Sequence, residues 1–214
     1  QISQGLGMLD AIRIQAEKMG DFYISGHAGM VIGHLLLDVY RLEEARSCLE
    51  ASLKATERSG NLFPHLAGLA RLSHLHYLMG DAHHAEKVLE AFISLRKRVH
   101  MPTRHGPSVM YLGWLMEEGK LPKHPELSLK REVASALRGK NVFHKGLAYR
   151  YQAYLKKRGS APASEAINAL KQSVRYLQES GHQIEWARSG IELAREYLRN
   201  GKRETARKQA APAI

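Results

Sequence analysis

The amino-acid sequence predicts an all-α fold: a stack of antiparallel helix pairs, about eleven helices in all, with a repeat of about 40 residues. Three observations predict it. Helical patterns break at Gly20, Gly60, His100, Lys140 and Gly181, in steps of 40, 40, 40 and 41 residues. A second series interleaves with the first, at Tyr40, Gly80, Gly119, Gly159 and Gly201, with steps of 40, 39, 40 and 42. Between the breaks, apolar residues recur every three or four positions, and no sustained alternating stretch points to a sheet.

The periodicity predicts helices over 3–19, 22–39, 42–59, 63–79, 82–98, 107–118, 125–138, 142–158, 163–180, 183–200 and 203–212. Leu42, Ala45, Leu49 and Leu53 give one apolar stripe; Ala85, Val88, Leu89 and Phe92 give another; Ala166, Ala169, Leu170, Val174 and Leu177 give a third. Glycine after a helical run suits the left-handed turn that ends a helix. The prolines fall in loops or at helix starts, and Ser164 is placed to cap the helix that follows Pro162. The units are a half unit over 1–20, then 21–60, 61–100, 101–140, 141–181 and 182–214, all within one repeat domain, 1–214. The stretch 99–125, with proline-bearing basic loops around a short helix, fits the pattern least.

Composition narrows the function classes. There is no run of 18 apolar residues, so no membrane-spanning helix and no membrane partner is expected. The single cysteine, Cys48, excludes an internal disulfide framework, sits among apolar neighbours and fits a reducing cytoplasm. Residues 1–100 carry 11 basic and 11 acidic side chains, whereas 101–214 carry 21 and 10, so the net charge of +11 lies in the second half. Such an asymmetry points to an acidic partner or to a solvated helix surface.

The pairs resemble tetratricopeptide repeats. Ala45, Ala85 and Ala206 fit that family's small position in the second helix; Gly33, Ser73 and Ala194 fit the close-packing small position of the first. Leu49, Leu89 and Ala210 then fall at its large apolar position. The run from Tyr77 to Glu86 is the nearest match, and that from Tyr197 to Ala206 its nearest echo. Units of 39 to 42 residues exceed the family's typical 34, and its first aromatic position is not matched. Longer units of this kind resemble the sensor or scaffold arrays of large bacterial signalling and transcription regulators. The resemblance implies a right-handed superhelix whose first helices line a concave groove, and the lack of a polar capping helix at either end makes a fragment of a longer protein the expectation.

Projecting the family's groove positions nominates Met30, His34, His74, Tyr77, Tyr149, Lys156, Arg188, Arg195 and Arg199 as partner-binding residues, with His27, Ala70, Val109, Met116 and Ala153 beside them. The expected partner is an acidic peptide or protein segment, or a neighbouring domain of the same chain, clamped by the three arginines and anchored on Tyr149. The competing reading has those arginines paired along their own helix with Glu192 and Glu196.

Nucleic acid is the alternative partner. Lys120, Lys123, Lys130, Arg131, Arg138, Lys140, Lys145, Arg150, Lys156, Lys157 and Arg158 form a dense basic set with Tyr149, Tyr151 and Tyr154 interleaved. No enzyme, cofactor or metal site is expected. His74 and His76 point about 200° apart on a helix, His83 and His84 are adjacent, and no HExxH, CxxC or phosphate loop occurs. Self-association through 3–19 or 203–212 is a further expectation, because a repeat end leaves an apolar face uncovered.

Overall fold

The computed structural model describes residues 2–99 and 106–210. They form eleven helices: α1 (Ile2–Lys18), α2 (Phe22–Asp38), α3 (Leu42–Ser59), α4 (Leu62–Leu78), α5 (Ala82–Arg98), α6 (Pro107–Glu117), α7 (Leu129–Arg138), α8 (Val142–Arg158), α9 (Ala163–Glu179), α10 (Gln183–Arg199) and α11 (Arg203–Ala210). The all-α stack is confirmed, and among the described residues no strand forms. None of the described helices is long and apolar enough to cross a membrane. The chain divides into two compact units, Gln1–Glu126 and Leu127–Ile214. In the first, α1 to α5 pack consecutively, and α2, α4 and α6 also touch in turn. In the second, α7 to α11 pack consecutively.

The predicted breaks are where the backbone turns. Left-handed φ values occur at Gly20, Gly60 and Gly181 in one series, and at Tyr40, Gly80, Gly119 and Gly201 in the other. His100 lies outside the described residues, as do Pro102, Pro212 and the last two residues of the expected helix 203–212. At Lys140 there is no left-handed turn, because α7 ends on extended backbone at Gly139. After α8 the left-handed residue is Ser160 (φ 57°) rather than Gly159. Two further expectations need correction. Ser164 does not cap α9: the helix begins at Ala163 behind Pro162, whose carbonyl accepts from the Glu165 amide at 2.9 Å. The helix expected over 125–138 begins four residues later, at Leu129, behind a turn at Pro125 that buries Leu127.

Register is the organising fact of the hairpins. First helices α2, α4, α8 and α10 start at 22, 62, 142 and 183; second helices α3, α5, α9 and α11 start at 42, 82, 163 and 203. The fourth residue of each second helix is Ala45, Ala85, Ala166 or Ala206, all buried. The twelfth residue of each first helix is Gly33, Ser73, Ala153 or Ala194. A Cβ on Gly33 would lie 2.6 Å from the Leu49 side chain, and the Ser73 hydroxyl donates to the Ala85 carbonyl at 2.7 Å. Small residues at these two positions therefore set how closely the paired helices approach. Leu49 and Leu89 are buried as their positions require; Ala210 is half-buried.

Hairpins α2–α3 and α8–α9 share a further device. Their fifth first-helix residues are Gly26 and Gly146; their eleventh second-helix residues are Ser52 and Ser173. The serine hydroxyls donate across the pair to those glycine carbonyls, at 2.6 and 2.7 Å. A Cβ on Gly26 would meet Thr56 at 2.7 Å, and on Gly146 would meet Leu177 at 2.5 Å. Glycine at the fifth position thus allows the contact, and serine satisfies the carbonyl it exposes.

Candidate functional site

Successive first helices are linked by polar side chains, and these links build the candidate site. In the first unit, the thirteenth residues of α2 and α4 are His34 and His74. Each reaches the next first helix. Arg71 of α4 donates from Nη2 to His34 Nδ1 at 3.2 Å, and His34 Nε2 lies 3.6 Å from Asp38 Oδ2. His34 therefore stands between a carboxylate and a guanidinium, with its Nδ1 unprotonated. Arg71 also donates to the Ala67 carbonyl at 3.1 Å. Burial is the main influence on Arg71 and pulls its guanidinium down to about 10, although Asp38 opposes the shift.

His74 makes the next link. Its ring stacks on Tyr111 of α6 at 3.9 Å between centroids, and its Nδ1 lies 3.4 Å from the Ser108 hydroxyl. Tyr77 approaches Tyr111 edge-on at 6.4 Å, and Trp114 flanks Tyr111 at 5.4 Å. The Lys120 ammonium sits 5.1 Å over the Trp114 ring. His74, Tyr77, Tyr111 and Trp114 are all half-buried, so α4 and α6 carry a partly exposed aromatic shelf. Met30 is not part of such a surface: it is 5% exposed and belongs to the interior of the unit.

The second unit places its nominated residues differently. Tyr149 and Lys156 turn toward the second helix α9, where Tyr149 stacks on Tyr176 at 5.4 Å and Lys156 pairs with Glu165. The residues one position later make the link from α8 to α10. Arg150 pairs with Glu185, and Lys157 pairs with Glu196 at 2.7 Å. One residue of helix is about 100° of rotation, which separates a side chain facing the next first helix from one facing its hairpin partner. Counted from the helix start, Arg150 and Lys157 share the register of Met30 and Tyr77, whereas Tyr149 and Lys156 precede it by one.

The arginines expected as clamps are engaged within their own helix. Arg188 pairs with Glu185, Arg195 with Glu192 at 2.7 Å, and Arg199 with Glu196, each three residues apart. The competing reading is therefore the one the structure bears out for Arg195 and Arg199. Glu185 and Glu196 are both buried, and each holds two cations. Glu185 keeps the Arg150 guanidinium above its usual range despite burial, and burial pushes the neighbouring Tyr151 phenol up to about 12.

The basic set over 120–158 is dispersed in the same way. Arg150, Lys156 and Lys157 are spent on glutamates, Tyr151 is buried, and the Tyr154 hydroxyl accepts from Arg158 at 3.0 Å. Sequence reasoning missed α9 as a carrier of charge next to an aromatic ring, because Arg175 and Tyr176 lie beyond the dense run. Among the described residues, no group of three or more His, Cys, Asp or Glu side chains could hold a metal ion. His76 stacks on His84 at 5.5 Å near Asp81, well separated in direction from His74 and its tyrosine. Cys48 is half-buried, and burial pushes its thiol up, away from a reactive thiolate. No protein-family model matches the chain, and no curated protein matches it.

Proposed function

We propose that this chain is a tetratricopeptide-like scaffold or sensing module of a bacterial regulatory protein, acting in the cytoplasm by holding a protein partner rather than by catalysis. The observation that carries the reading is the aromatic shelf His74–Tyr77–Tyr111–Trp114, raised across two successive first helices and half-exposed. Rigid aromatic rings beside a hydrogen-bonding hydroxyl and a lysine suit recognition of a peptide segment, because they offer contact area with little side-chain entropy to lose. The first unit is the better candidate for this role than the second, whose nominated arginines already hold carboxylates of their own chain.

The test is selection of a displayed library of 12-residue peptides on the full chain, followed by affinity measurement with Trp114 fluorescence as the probe. The reading expects enriched peptides whose affinity drops at least tenfold with Tyr111→Ala and with His74→Ala. Enriched peptides indifferent to both substitutions would refute the shelf as the site, and no enrichment would refute peptide recognition.

A further inference from the structure

The second unit carries the whole charge excess of the protein. Residues 127–214 hold 18 basic and 7 acidic side chains, while 1–126 hold 14 of each. The structure shows where the seven carboxylates go. Glu132, Glu185 and Glu196 are buried, and Glu165, Glu192 and Glu204 pair with Lys156, Arg195 and Lys208. Glu179, at the end of α9, is the remaining one. Local acids therefore leave much of the positive charge for an external anion.

That charge meets a stacked pair of tyrosine rings at the α8–α9 seam. Tyr149 and Tyr176 stack with an interplanar angle of 10°. Arg175 lies 4.7 Å and Lys145 5.9 Å from the Tyr176 centroid. Asn168, Lys171, Arg175 and Gln178 form an exposed polar stripe on α9, at helical spacing. Tyr149 is half-buried, and among the described residues no second ring or cation contacts it. One face of its ring is thus held flat by Tyr176, and the ring stands beside cations on both helices.

We propose that the α8–α9 seam binds single-stranded nucleic acid, with a base stacked on Tyr149 and the flanking phosphates on Lys145, Lys171 and Arg175. Polyanion attraction alone would need only the charges; the held, coplanar tyrosine pair adds a stacking platform, which every base can use. An acidic protein or an anionic lipid surface would use the lysines and arginine but not the ring.

The test is fluorescence anisotropy of the full chain with labelled rU12 and dT12, alongside an abasic dodecamer that keeps the phosphates, hexaglutamate, and vesicles containing phosphatidylserine. The expected result is binding of rU12, dT12 or both, at least fivefold tighter than the abasic strand. Tyr149→Leu should weaken it about 5- to 30-fold, the range that about 1–2 kcal/mol of stacking gives, and Tyr149→Phe should retain it. Lys171→Gln and Arg175→Gln should each lower the salt slope by about one. A difference between rU12 and dT12 assigns the source as RNA or DNA. Equal binding of the abasic strand, indifference to Tyr149→Leu, preference for hexaglutamate or vesicles, or no binding would each overturn the proposal. Comparing the leucine and phenylalanine variants at matched helicity keeps loss of folding from imitating loss of stacking.

Discussion

His34 and His74 are the same residue of two repeats, 40 positions apart, and each leans onto the next first helix. What they meet differs: His34 accepts from a buried arginine, and His74 lies flat on a tyrosine. A shared register therefore supplies the bridge, and the neighbouring helix decides its chemistry.

The His34 bridge is a matter of stability as well as placement. Removing it with His34→Ala takes the acceptor away from the buried Arg71 guanidinium, which should cost about 2 kcal/mol. His34→Gln, which can offer a carbonyl oxygen in the same direction, should restore much of the loss. Urea unfolding of both variants checks this; equal loss for alanine and glutamine would mean that packing, not the hydrogen bond, matters.

The close-approach glycines give a paired prediction. Gly146→Ala and Gly26→Ala each force a methyl against a helix 2.5 to 2.7 Å away, and overpacking of this kind costs about 1–3 kcal/mol. The two changes should cost alike, because a backbone amide stands close to the added Cβ in each, Thr56 N at 3.0 Å and Leu177 N at 3.1 Å. Ser52→Ala, which removes only the bond to a carbonyl, should cost about 1 kcal/mol, and Ser173→Ala should cost more, because it also takes the partner from the Ser189 hydroxyl. Thermal unfolding of the four variants tests the ranking.

Ser160 holds a left-handed turn that its side chain disfavours, at φ 57° and exposed to solvent. Ser160→Gly should remove about 1 kcal/mol of strain, offset in part by the freer unfolded chain, for a small net rise in Tm. A lower Tm would show that the serine side chain holds the turn.

Acid should loosen the second unit through Glu196. Burial alone would push this carboxyl up, but Lys157 and Arg199 outweigh it and hold it below the usual carboxylate range. A carboxyl depressed on folding binds fewer protons folded than unfolded, so its stabilisation is complete above the ordinary value of about 4.3 and drains away as pH falls through the depressed one. At pH 7, Glu196→Gln should cost about 1–3 kcal/mol. That gap should narrow steadily between pH 5 and pH 3 in urea titrations; a constant gap would refute the ionic contribution.

Much of this architecture was legible in the chain itself. The two break series located the turns, and the small residues Ala45, Ala85, Gly33 and Ser73 marked where helices pack closest. His34 and His74 were nominated as groove residues, and in the structure each touches the next first helix. What stayed hidden was partnership. Nothing along the chain says that Arg150 meets Glu185, since the two helices are separated in sequence by the whole of α9. Tyr149 and Lys156 were placed by projecting family positions, and because their neighbours Arg150 and Lys157 are just as polar, the chain itself does not say which of each pair meets α10. The stretch before α7 escaped for another reason, because Pro125 interrupts the pattern and the buried Leu127 that anchors the turn looks like one more helical apolar residue.

The hydroxyls beneath Arg150 have an orientation that no single contact reveals. Ser173 owns one hydrogen and spends it on the Gly146 carbonyl at 2.7 Å, so Ser189, 2.9 Å away, must give its own hydrogen to Ser173. That leaves the Ser189 oxygen to receive from the Arg150 Nη1, at 3.4 Å. Three helices are thereby threaded by a one-way wire from guanidinium to peptide carbonyl, whose direction is set by the Gly146 carbonyl, which can only accept. Hydroxyl protons clamped this way exchange slowly with water, and the two serines should announce themselves as lingering resonances in a proton spectrum, a built-in reporter of whether α8, α9 and α10 remain in register.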